Sequence, residues 1–157
     1  MKTHCSNIKL TLFTFLIILV GCGGGGGGGG DSAVTYDTTA PTITNFIPAN
    51  AATGVGVPDN ITLTFSEPVV ARSGGTIELM TDYAFGHKSV EIFSITDTKR
   101  IMISVNVITI DPTNNLLPST GYHIGFNNAL SDAAGNAFTF PHGQYNFTTA
   151  ASKTAGY

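Results

Sequence analysis

The stretch NITLTFSEP, Asn60–Pro68, decides the fold. Ile61, Leu63 and Phe65 share one parity, and Thr62 and Thr64 share the other. In an extended chain successive side chains point to opposite faces, so these residues predict a strand with an apolar inner face and a threonine outer face. Pro68 lacks the N–H that a sheet ladder needs, and Ser66-Glu67-Pro68 therefore reads as the turn that ends the strand.

Working outward, TITNFI (Thr42–Ile47) and GYHIGF (Gly121–Phe126) are strand-length runs rich in isoleucine, threonine and aromatic residues. Turn-forming clusters punctuate the chain at short intervals: PAN, TGVGVPDN, SGG, DPTNN, AAGN and PHG. Between Pro48 and Pro58 the chain reads as a connection, with Gly54 and Gly56 permitting sharp turns. In RIMISVNVITIDP, Ile101 and Ile103 lie on one parity and Ile108 and Ile110 on the other. One strand cannot hold both sets on one face, so a tight turn at Val105-Asn106 is expected, with a bulge as the alternative. No segment beyond the first twenty residues has sustained helical periodicity. The chain is expected to be all-β: an immunoglobulin-like antiparallel sandwich of about seven to eight strands over residues 41–149, with 150–157 as a tail.

Composition narrows the function. Charged residues make up 11% of 157, so few surface ion pairs are available. Beyond Cys22 only Arg72, Lys88, Lys99, Arg100 and Lys153 are basic, against all ten acidic residues. Phosphate binding needs clustered Lys and Arg, so nucleic acid is excluded as a partner.

The N-terminus has the pattern of a secretory signal. Lys2 and Lys9 give a positive start, and LTLFTFLIILV, Leu10–Val20, an apolar run. As a helix this run spans about 16 Å, too short for a hydrocarbon core of ~30 Å. LVGC, Leu19–Cys22, resembles the lipobox of bacterial lipoproteins. The resemblance implies cleavage between Gly21 and Cys22, acylation of Cys22 and attachment to a membrane through that lipid. Residues 1–21 are then a signal peptide. Cys5 would leave with it, and Cys22 would be the single cysteine of the mature chain. Gly23–Gly30 and DSAVTYDTTA complete a flexible linker over 22–40, with a root-mean-square span of roughly 23 Å. Gly23 is not the aspartate that resembles an inner-membrane retention signal, so in a Gram-negative cell the outer membrane is expected.

A second resemblance covers Asp37 to Thr149. DTTAPTITNFIPANAATGVGVPDNITLTFSEPV is similar to the start of bacterial Ig-like domains of the SbsA type, the Big_5 group. VITIDPTNNLLPSTGYHIGF, LSDAAGNAF and YNFTT follow in the order that group shows. The resemblance implies a structural, spacer or adhesive module of the cell envelope, not an enzyme. It also leaves room for a second reading, a truncated relative of a larger surface protein or enzyme. Val105 stands where members often carry a turn glycine, and Tyr145 near where some carry tryptophan. Tyr122, after LLPSTG, is expected to pack its ring and send its hydroxyl back to the backbone, as in the tyrosine corner of sandwich folds.

Residues able to do chemistry are sparse. His87, His123 and His142 show no metal-ligand spacing, and His123 is read as an exposed or edge residue of a strand. No G-x-S-x-G elbow occurs, and the eight glycines lack the strand and helix of a nucleotide-binding turn, so neither catalytic residues nor a cofactor are expected. Asp37, Asp111 and Asp132 are loop carboxylates of a kind that suits Ca²⁺. MTDYAFGHKS, Met80–Ser89, reads as a loop presenting Tyr83, Phe85 and His87. Loop aromatics commonly fold back to cap a core, which is the first reading of Tyr83 and Phe85. Exposed aromatics can also stack on sugars or anchor a protein, so a glycan or protein partner at this loop is the second reading, and a carbohydrate-binding module the alternative function.

Overall fold

A computed structural model describes residues 35–57, 60–83 and 86–152. The signal peptide, the cleavage and lipidation positions Gly21 and Cys22, the glycine run and Phe85 lie outside the described residues. Eleven strands are present among the described residues: β1 (Ile43–Ile47), β2 (Ala52–Val55), β3 (Ile61–Phe65), β4 (Val70–Ala71), β5 (Thr76–Tyr83), β6 (Gly86–Ser94), β7 (Ile101–Ser104), β8 (Val107–Ile110), β9 (Gly121–Asn127), β10 (Leu130–Ser131) and β11 (Asn146–Thr149). They form a four-stranded sheet, β1-β3-β8-β7, a five-stranded sheet, β2-β11-β9-β5-β6, and a short ribbon, β10-β4. Every pairing is antiparallel except β2 with β11.

The core lies between the two large sheets. Ile61, Leu63 and Phe65 of β3 are buried, and they share one cluster with Ile77 and Leu79 of β5, Ile108 and Ile110 of β8, and Tyr122 and Ile124 of β9. Each such side chain contributes about 1.5–3 kcal/mol by leaving water. No disulfide takes part, since the chain's two cysteines, Cys5 and Cys22, precede the described residues.

β7 and β8 form the hairpin that the parity change predicts. Val105 adopts φ 56°, and the carbonyl oxygens of Val105 and Asn106 accept hydrogen bonds from the N–H groups of Val69 (3.0 Å) and Phe65 (2.7 Å). Tyr122 is buried, and its hydroxyl accepts from the N–H of Leu117 at 2.8 Å.

Three expectations are corrected. The connection between Pro48 and Pro58 contains β2, which pairs in parallel with β11. MTDYAFGHKS is not a loop: Met80 to Tyr83 end β5 and Gly86 to Ser89 begin β6, in register with one another. His123 is neither exposed nor at an edge. It sits in β9, the middle strand of the five, and is 4% exposed.

Candidate functional site

Among the described residues two clusters of titratable side chains stand out, on two different parts of the domain. The first lies on the outer face of the five-stranded sheet. In the β5–β6 hairpin Asp82 stands directly opposite His87, and Met80 of β5 stands opposite His123 of β9. Asp82 is two residues on from Met80, so it shares that face and is the diagonal neighbour of His123. Gly121 starts β9 two residues before His123 and so lies on the same face. A Cβ there would come within 3.2 Å of Asp82 Oδ2, so its absence leaves the carboxylate room to lean over β9.

The result is a close group. Asp82 Oδ1 lies 3.4 Å from His123 Nε2 and 3.8 Å from His87 Nδ1. The two imidazole rings meet edge to face, with centroids 4.3 Å apart. Asp82 and His87 are exposed, whereas the His123 ring is buried and its Nε2 makes no hydrogen bond. Burial pushes the pKa of His123 below that of a free imidazole. The neighbouring His87 works in the same direction, against the Asp82 carboxylate and the Thr81 backbone.

The second cluster joins Asp37, Glu67 and Asp132, whose carboxylates offer oxygens within 4.8 Å of one another. Asp132 is buried and serves as the hub of its turn. Its Oδ1 accepts from the N–H of Asn136 and its Oδ2 from the Asn136 side-chain amide, both at 2.7 Å. The same amide donates to the carbonyl of Asp37 at 3.1 Å, which ties the start of the domain to this turn. Burial alone would raise the Asp132 pKa, but these bonds, with those from the Gly135 and Ala134 backbone, outweigh it and hold it low. Desolvation, then the charges of Asp37 and Asp132, push Glu67 upward. An oxygen-only group of this kind suits a hard cation.

The sequence-derived candidates are thus only partly brought together. Asp37 and Asp132 meet, with Glu67 as a third member that loop position alone had marked as a turn former. Asp111 lies elsewhere, its Oδ2 3.4 Å from the Arg100 guanidinium. His87 acquires Asp82 and His123 as neighbours, and Tyr83 pairs with Gly86 at the end of the β5–β6 ladder. A hairpin reading of DYAFGH would have placed Asp82 across from His87. Nothing in the spacing points to His123, which arrives from a strand far along the chain.

A cleft of about 400 Å³ lies at the other side of β6, lined in part by Leu79, Val90, Pro112, Leu116 and Tyr122. Its carboxylate, Glu91, is already engaged by the hydroxyl and N–H of Thr113. The Tyr122 hydroxyl is likewise committed to Leu117.

Comparison with known proteins agrees with this architecture. Residues 37–149 match the Big_5 model, described as a bacterial Ig-like domain. No curated protein matches the chain. Among solved structures, the crystal structure of CopC from Methylosinus trichosporium OB3b is similar with a TM-score of 0.54, covering 74% of this chain and 99% of that one. At 18% identity this likeness is one of fold. The ordered strands, the buried Tyr122 corner and the match across 37–149 together make this chain a member of the bacterial Ig-like domain family.

Proposed function

We propose that this chain is a lipid-anchored protein of the bacterial cell envelope that displays its Ig-like domain on a glycine tether, for structural or adhesive contacts without catalysis. The observation that carries the reading is the order of segments. A basic start, an apolar run, Leu19–Cys22 and eight glycines precede a domain of the bacterial Ig-like family. A lipid on Cys22 explains why a chain with an export signal keeps a cysteine that no other cysteine beyond it can pair with. Several acyl chains together hold a protein where one would not, at about 0.8 kcal/mol for each buried CH₂.

Contacts through a sheet edge fit the domain. β6 is an outer strand of its sheet, and its Val90 and Ile92 are exposed, the latter by 62%. Lys88 and Glu91 on the same strand guard it against indiscriminate strand pairing. The glycan reading rests on Tyr83, at the end of the β5–β6 ladder. It requires that Tyr83→Ala abolish retention of the domain on immobilised envelope polysaccharide.

The anchor is tested by growing cells with a labelled fatty acid. The wild-type chain should carry label and sediment with membranes, and Cys22→Ser should do neither. A Cys22→Ser chain that keeps its label would sink the proposal. Protease shaving of intact and lysed cells, read through a C-terminal tag, then tells an outward-facing domain from a periplasmic one.

A further inference from the structure

The buried imidazole of His123 has an unexplained atom. Its ring is 5% exposed and its Nε2 has no hydrogen-bond partner, although Asp82 Oδ1 stands 3.4 Å away. Buried polar atoms are nearly always satisfied, and an exception calls for a ligand or a cost. Here the atom faces two further donors. His87 and Asp82 offer ligand atoms beside it, and one such atom from each of the three residues lies within 4.8 Å of the other two.

We propose that Asp82, His87 and His123 form a binding site for a divalent transition-metal ion of the class that imidazole favours, held by two ring nitrogens and one carboxylate oxygen. Such an ion takes ligand bonds of about 2.0–2.1 Å, which at tetrahedral angles set the donor atoms about 3.3 Å apart. The spacings of 3.4 and 3.8 Å already approach that value. Asp82 and His87 are exposed and can close the remaining gap by small rotamer changes, while His123, fixed by its packing, sets the position of the ion. Three protein donors leave a fourth position for water or for a donor from a partner.

The donor set selects the metal. Imidazole with carboxylate suits zinc, nickel or copper, whereas calcium and magnesium prefer oxygen alone. Metal ligation needs a ring nitrogen free of other partners, and the Nε2 of His123 makes no hydrogen bond that an ion would have to break. The carboxylate cluster around Asp132 lacks a comparable feature, since both oxygens of its one buried member are taken by Asn136. The glycine at position 121 belongs to the site as well, because a side chain there would press on the carboxylate. The site is independent of the lipid anchor and stands whether or not Cys22 is acylated.

The test uses the full chain without an affinity tag, titrated with Zn²⁺ in competition with a chromophoric chelator. Co²⁺ is added separately, and its visible absorption reports coordination by nitrogen and oxygen. Parallel samples carry His87→Ala or Asp82→Ala, both at exposed positions where circular dichroism should confirm an unchanged fold. One equivalent of Zn²⁺ should bind to the wild type, with at least a ~10-fold loss of affinity in each variant, as ligand-shell changes typically produce. The Co²⁺ bands should disappear in the same variants. Three results would each overturn the proposal: no binding of Zn²⁺ by the wild type, unchanged binding in both variants, or displacement of Zn²⁺ by equimolar Ca²⁺.

Discussion

Val105 holds φ 56° with its side chain 67% exposed, so a β-branched residue occupies the left-handed region with little packing in return. That conformation costs an L-residue about 1–2 kcal/mol, and glycine escapes it at about 0.5–1 kcal/mol of chain entropy. Val105→Gly should therefore stabilise the domain by up to about 1 kcal/mol, read as a higher urea midpoint with an unchanged slope. A lower midpoint would mean that the valine makes contacts that outweigh the strain. This turn and the Tyr122 hydroxyl were legible because each has a short-range signature: a parity switch for the turn, and a tyrosine just after LLPSTG that resembles the tyrosine corner of sandwich folds. His123 was not legible. Whether a residue on the outward face of a strand is buried depends on what other strands lay over it. Here the ring of His87, from a hairpin read as a loop, meets it edge to face.

Among the elements, β3 shows how far alternation carries. Its inward residues Ile61, Leu63 and Phe65 are buried, and its threonines are half-buried on the other face. Leu63→Ala should cost about 2–5 kcal/mol and Thr62→Ala no more than about 1 kcal/mol, both by chemical denaturation. Similar losses for the two would mean that the strand is covered equally on both faces. The hairpin of β5 and β6 was harder to read because its ladder shifts register between Leu79 and Met80. That irregularity interrupts the alternation where the sequence still continues as a strand. β2 escaped for another reason. Its four residues, ATGV, carry turn signals of their own, and the strand exists only because β11, from the far end of the domain, lies beside it. The outer-face cluster inherits both difficulties, since it needs the register of β5 with β6 and of β5 with β9 at once.

At the scale of the molecule, the last strand is an inner one. β11 lies between β2 and β9, and Phe147 is buried there beside Tyr145, whose hydroxyl donates to the carbonyl of Pro48 at 2.9 Å. Burial pushes the Tyr145 phenol far above its ordinary pKa. A chain ending before Tyr145 leaves β2 and β9 without their shared neighbour and should lose cooperative thermal unfolding altogether. A sharp transition in that shortened chain would show that β11 adds to a fold already made. Because β2 and β11 run parallel, hydrogen bonds close their pairing at both ends: Ala51 N–H to the Asn146 carbonyl at 2.7 Å, and Ala150 N–H to the Val55 carbonyl at 2.8 Å. Load applied between the two chain ends, once past β1, is then directed along this pair of strands. The bonds are strained together in shear and do not open one by one like a zipper. The domain should resist being drawn out end to end in a force-extension measurement, and should yield at much lower force when pulled sideways from the β6 edge.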